Sequence, residues 1–128
     1  MIVLLDTSTP VCKLTLVDGE QRFHTEWEAD RNLAKGLLGF LQNALDEHSK
    51  TWHDISGLGV FQGPGSFTGL RIGMTVFNTM ADSLAIPIVA AQGENWQGNA
   101  VSRLHNGEND HLALPFYGGE ANITKPRK

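Results

Sequence analysis

The sequence predicts one α/β domain whose elements run β-β-β-α-β-α-β. Three patterns predict it. Residues 2–5 form an unbroken apolar run, as in a strand buried on both faces, and residues 11–17 alternate in the manner of a half-buried strand. From Leu33 onward, two stretches with helical spacing are each followed by a short apolar run, at residues 58–61 and 87–91.

Asp6-Thr7-Ser8-Thr9-Pro10 ends the first strand with turn formers. Asp18-Gly19 is a hairpin signal between the second strand and a third near residues 21–28, so three antiparallel strands open the fold. Asp30 is the expected N-cap of a first helix carrying Leu33, Leu37, Leu38, Leu41 and Leu45. Gly36 and Gly39 interrupt it at about 1 kcal/mol each relative to alanine. Either another helix approaches closely there, or tertiary contacts hold a marginal helix. Thr51 with Asp54 forms a capping-box pattern before the fourth strand. The second helix carries Leu70, Met74, Phe77 and Leu84, with Ile72, Val76 and Met80 widening its apolar arc. Trp96, Ala100, Val101 and Leu104 predict a third helix, and residues 105–110 a polar loop.

The fourth strand and second helix are joined by Gly63-Pro64-Gly65-Ser66-Phe67-Thr68-Gly69. Glycine takes positive φ without strain and proline fixes its own φ, so a tight reversal is expected, with Ser66 or Thr68 capping the helix. A glycine-rich loop before a helix is also how phosphates are bound. This one lacks the lysine of the P-loop and the spacing of the dinucleotide fingerprint. A structural turn that packs the helix closely on the sheet is the better reading.

Composition bounds the function. The net charge is −4 and 41% of residues are apolar, which fits a single domain with a core and argues against independent nucleic-acid binding. RNA contact would then be indirect, through another subunit or the Lys125-Pro126-Arg127-Lys128 tail. No stretch has the length of a membrane span, and the N-terminus shows no secretory pattern, so the cytoplasm is the expected compartment. The single cysteine, Cys12, excludes an internal disulfide and reads as a small buried thiol. The five histidines lack metal-site spacing, Ser66 stands one place early for a nucleophile elbow, and the tryptophans lack interleaved basic residues. No catalytic residue, metal or cofactor is expected.

The stretch Gly63-Pro64-Gly65-Ser66-Phe67-Thr68-Gly69-Leu70-Arg71-Ile72-Gly73 resembles, without a gap, the signature of the TsaB (YeaZ-like) family of tRNA threonylcarbamoyladenosine biosynthesis proteins. Leu4-Leu5-Asp6-Thr7-Ser8-Thr9 is similar to that family's first strand and turn, and Ile86-Pro87-Ile88-Val89 to a later strand. Pro115-x-Tyr117 and Asn122-Ile123-Thr124-Lys125-Pro126-Arg127-Lys128 resemble its C-terminus, with Gly118-Gly119 in place of Leu-Arg. Arg31-Asn32-Leu33-Ala34 and Leu38-Gly39 depart from its Arg-x-His-[Ser/Thr] helix start and Leu-Pro step.

The element order is that of a ribonuclease-H-like lobe, half of the actin-like (ASKHA) fold. The resemblance implies a single lobe over residues 1–128, with 115–128 a family-like tail and the second lobe missing between them. It implies a non-catalytic scaffold for a TsaD-type subunit, with a TsaE-like ATPase and a homodimer as further partners. The partner surface expected from it lies on the first two helices, at Leu33, Leu37, Leu41, Leu70, Arg71, Met74 and Phe77, because the apolar arc of the second helix exceeds what a sheet covers. Gly63, Pro64, Gly65, Ser66, Thr68 and Gly69 form the structural loop. Asp6 matches the position of a phosphate-side aspartate in actin-like ATPases, although a turn aspartate bonded to nearby N–H groups is the simpler reading. The rival function is a nucleotide-binding phosphotransferase or metallopeptidase remnant.

Overall fold

The computed structural model describes residues 1–116. Of the residues on which the C-terminal resemblance rests, Pro115 is described, and Tyr117, Gly118-Gly119 and residues 122–128 lie outside the described residues. Five strands form one sheet in the order β3-β2-β1-β4-β5: β1 (Ile2–Asp6), β2 (Val11–Asp18), β3 (Gln21–Glu28), β4 (Gly57–Phe61) and β5 (Ile88–Ala91). The first three pair antiparallel, whereas β1/β4 and β4/β5 are parallel. This order, with α1 (Leu33–Glu47), α2 (Phe67–Leu84) and α3 (Trp96–His105), is the expected ribonuclease-H-like lobe.

Alternation along the strands sorts side chains into two cores. Val3, Leu5, Leu14, Leu16, Leu58 and Val60 face α1 and α2. Ile2, Leu4, Val17 and Val89 face the other way, where Trp96 and Ala100 of α3 cover them. Cys12 is buried in the first core, and burial followed by the charge of Asp6 pushes its thiol from 9.0 up to about 12.

Three local expectations change. Asp30 does not cap α1: it has φ +50° and opens a short 3-10 turn, Asp30–Asn32, tied back by Ala29 N–H and Asp30 N–H to the Pro10 carbonyl at 3.0 and 3.1 Å. That step from β3 delays the helix to Leu33. Gly36 admits a strand residue, not a helix: a Cβ there would lie 2.5 Å from the Trp27 ring. Gly39 is open, with nothing within 4 Å. By contrast the Thr51 and Asp54 pattern forms as read: the Asp54 carboxylate accepts from Thr51 N–H at 2.8 Å, which holds it below the usual range.

Two outcomes are expected. Gly39→Ala should stabilise the fold by about 1 kcal/mol through helix propensity, while Gly36→Ala should destabilise it, because the new methyl displaces Trp27; denaturant melts give both signs. Cys12 should resist thiol reagents until the chain unfolds. Its raised pKa favours the neutral folded form, so this contribution is complete below pH 9.0 and disappears as pH rises toward about 12.

Candidate functional site

The loop between β4 and α2 is built to hold the β1–β2 turn. Gly63 has φ +115°, and the Gly63-Pro64 peptide is cis. Ser66 N–H donates to the Ser8 carbonyl at 2.8 Å, and the Ser66 hydroxyl accepts from Gly69 N–H at 3.2 Å as the N-cap of α2. Thr68 has no capping role; Ser66 takes it. The buried Thr7 hydroxyl donates to the Gly69 carbonyl at 2.8 Å. Gly65, Gly69 and Gly73, four residues apart, face this turn: a Cβ would strike Ser8 at Gly65 and Thr7 at Gly69 and Gly73.

The expectation of positive φ therefore holds at Gly63 alone. Gly65 and Gly69 are required by close approach, not by backbone conformation. Asp6 is the turn aspartate of the simpler reading: its carboxylate accepts from Ser8 N–H at 2.9 Å and the Ser8 hydroxyl at 2.6 Å. Those bonds, and the occupied Ser66 and Gly69 amides, use N–H and O–H donors that a phosphate would need. The loop anchors α2.

The structure separates the expected partner residues. Leu33, Leu37, Leu41, Leu70, Met74 and Phe77 are 0–6% exposed; all but Leu70 lie in the core between the sheet, α1 and α2, and Leu70 is buried beside Gly63 of the loop. Their exposure in the single chain was expected and is not found, because α1 and α2 cover one another's apolar rows on one side of the sheet. Trp96 does not contribute to that cover; it packs against Phe61 on the opposite face at 5.7 Å. Only Arg71 of the seven is exposed, its guanidinium 5.2 Å from the centre of the Phe67 ring.

Beside the buried row runs an outer one. Ala34, Thr68, Arg71, Ile72, Thr75 and Val76 line a groove of about 330 Å³ between the two helices. Leu38, one turn after Ala34, is 54% exposed. Ile72 and Val76 were legible as the widening of the α2 arc. Ala34 and Leu38 were obscured because Leu37 and Leu38 are adjacent and only one of them can face inward. A second hollow of about 250 Å³ lies where Pro10, Asp30 and Arg31 meet Ser66 and Thr68.

A family model described as TsaD, tRNA N6-adenosine threonylcarbamoyltransferase, matches residues 26–116. The tRNA threonylcarbamoyladenosine biosynthesis protein TsaB of Haemophilus influenzae is 28% identical over 113 residues, covering 88% of this chain and 48% of that protein. The Escherichia coli protein of the same name is 32% identical, covering 80% and 47%, and that of Bacillus subtilis is 45% identical over 76 residues, covering 53% and 33%. YeaZ from Pseudomonas aeruginosa superposes with a TM-score of 0.64 at 28% identity, covering 71% of this chain and 44% of that one. A second Pseudomonas aeruginosa structure, of an uncharacterized protein with similarity to peptidase YEAZ, gives 0.68 at 30% identity, covering 71% and 42%. The chain spans about half the length of the first two of these curated relatives.

Alanine at Gly65 or Gly69 should destabilise the protein by about 1–3 kcal/mol, the range for overpacking. An ordinary helix-interior glycine would give a gain instead. Urea midpoints for the two variants check the sign, and unchanged midpoints would show that the turn is not seated against these glycines.

Proposed function

The chain belongs to the family described as tRNA N6-adenosine threonylcarbamoyltransferase, as a TsaB-like member, and on that premise we propose that it is a non-catalytic scaffold for a TsaD-type subunit in threonylcarbamoyladenosine modification of tRNA. The observation that carries the reading is the outer row of α1 and α2. A groove floored by Ile72 and Val76 and edged by Arg71 and Thr75 offers apolar area with a polar rim. Another pair of amphipathic helices would fill it, supplied by the TsaD-type subunit or by a second copy.

The loop that could have cradled a phosphate is used to hold the β1–β2 turn, and Asp6 is committed to Ser8. This supports a supporting role over the phosphotransferase or metallopeptidase reading. A TsaE-like ATPase would join through the assembled complex, and tRNA would be met by the larger subunit, consistent with a net charge of −4 on this chain. No described helix is long and apolar enough to cross a membrane.

The test is reconstitution of tRNA modification from TsaD-type and TsaE-type subunits with and without this chain. Addition should restore modification, and Leu38→Asp with Arg71→Glu should weaken capture of the TsaD-type subunit at least about tenfold while leaving the circular dichroism unchanged. Both positions are solvent-exposed, so the variants should fold. Calorimetry of the pure chain with ATP and magnesium should show no tight binding. Modification that ignores the chain, or capture that ignores both variants, would overturn the reading.

A further inference from the structure

The two edges of the sheet are finished differently. β5 is closed by side chains and a returning segment. Ile88 N–H donates to Asn109 Oδ1 at 3.1 Å, Asp110 N–H to the Ile88 carbonyl at 2.8 Å, and Ala90 N–H to Asp110 Oδ2 at 2.9 Å. Arg103 Nη1 donates to the Ala90 carbonyl at 3.0 Å and is held there by Glu108 and Asp110. No strand could pair with β5 without breaking this clamp. At the other end the sheet stops at β3, and among the described residues nothing pairs with its outer backbone edge.

An open edge invites pairing, and charges commonly protect it by meeting like charges on an incoming strand. The charges of β3 do the reverse when the incoming strand is a copy of itself. Lay two copies of Gln21–Glu28 antiparallel with Thr25 opposite Thr25. Arg22 then faces Glu28, His24 faces Glu26 and Phe23 faces Trp27, each twice by the twofold symmetry. Every pair joins residues of the same face, since Arg22, His24, Glu26 and Glu28 are exposed and Phe23, Thr25 and Trp27 are half-buried. Shifting so that His24 meets His24 keeps one opposite-charge pair, Arg22 with Glu26, but sets His24 against His24 and Glu20 against Glu28 and replaces the aromatic pair with Phe23 against Thr25. Complementarity thus selects one register as well as one partner.

We propose that β3 is a self-association edge, at which a second copy of this chain pairs antiparallel about Thr25 and continues the sheet across a twofold axis. On the exposed face the two strands form an alternating array, in which each Glu26 receives His24 of its own strand at 2.8 Å and His24 of the other. The hydrogen bond from its own His24 already holds Glu26 below the usual carboxylate range, so it enters the pairing ionised. On the other face Trp27, lodged on Gly36, meets Phe23 of the second copy. Strand pairing alone buries little area, so association is concentration-dependent and weakens with salt. The edge shares no residue with the groove between α1 and α2.

Sedimentation equilibrium of the full chain should show a monomer–dimer equilibrium. Arg22→Glu, which sets two glutamate pairs against each other, should weaken it about tenfold. Arg22→Glu combined with Glu28→Arg should restore it, a rescue that separates pairing from loss of fold. Thr25→Cys should yield a disulfide-linked dimer under mild oxidation, since the native Cys12 is buried. A wild type that stays monomeric throughout the concentration range overturns the proposal. So does a dimer that ignores Arg22→Glu and leaves the Thr25→Cys variant uncross-linked, which would place self-association on another surface.

Discussion

The arrangement depends on one contact: the Thr7–Ser8 turn lying on the glycine face of α2. Thr7 is buried and polar, so its hydroxyl must be satisfied, and the Gly69 carbonyl satisfies it at 2.8 Å. A hydrogen bond of this kind contributes about 1 kcal/mol net, but leaving either partner unpaired in the interior costs more. The bond can form only because no Cβ stands on Gly65, Gly69 or Gly73. Helix α2 is thereby fixed at its first turns against the end of β1, and the rest of its buried row, Leu70, Met74 and Phe77, is carried onto the sheet from that point.

Once α2 is so placed, α1 has one position open to it. Its Leu33, Leu37 and Leu41 fill the space beside Met74 and Phe77, and Gly36 lets the Trp27 ring slide beneath. The buried rows are then spent on the lobe's own core. What remains at the surface is the neighbouring row, displaced by one residue on each helix: Ala34 and Leu38 beside Leu33 and Leu37, Ile72 and Val76 beside Gly73 and Phe77. Core and surface can then be changed separately, since a substitution in the outer row leaves the inner row packed.

The succession of elements and the Thr51 box were legible because each is written in neighbouring residues, in alternation and in a threonine three before Asp54. Sequence narrows the cap of α2 to Ser66 or Thr68, and the bond to Gly69 N–H decides for Ser66. The glycines were legible as necessary but not for the right reason. Sequence shows that Gly65 and Gly69 are glycines; that Thr7 and Ser8 stand against them is a fact of the parallel β1/β4 pairing, which brings distant turns together. Asp30 misled because an aspartate before a leucine run has the look of a cap, while the tie of Ala29 and Asp30 to Pro10 depends on where β2 begins. Which rows of α1 and α2 are buried was missed for a related reason. Helical spacing gives the direction of an apolar face, but how wide a strip the sheet and a second helix will cover is set by tertiary packing.

The same geometry explains why β3 carries a polar outer face. A helix is about 10 Å across and strands are ~4.8 Å apart, so one helix covers roughly two strands. Two helices cover one side of this sheet; α3 alone serves the other, and it sits over β4 and β5 with Trp96 and Ala100 against Leu4 and Val89. Its cover ends in a polar seam. Gln97 Nε2 donates to the buried Thr15 hydroxyl at 3.2 Å, Thr15 reaches His24 Nδ1 at 3.0 Å, and His24 Nε2 lies 2.8 Å from Glu26. With its hydroxyl accepting from Gln97, Thr15 donates to His24, which leaves the ring proton on Nε2 facing the carboxylate. Arg22 closes the seam from the other side, donating to Gln97 at 3.2 Å. Apolar side chains at Arg22, His24 and Glu26 would have stood in water at the margin of α3. The polar residues instead satisfy one another, and so β3 can stand at the end of the sheet with its backbone uncovered and its side chains held in fixed places.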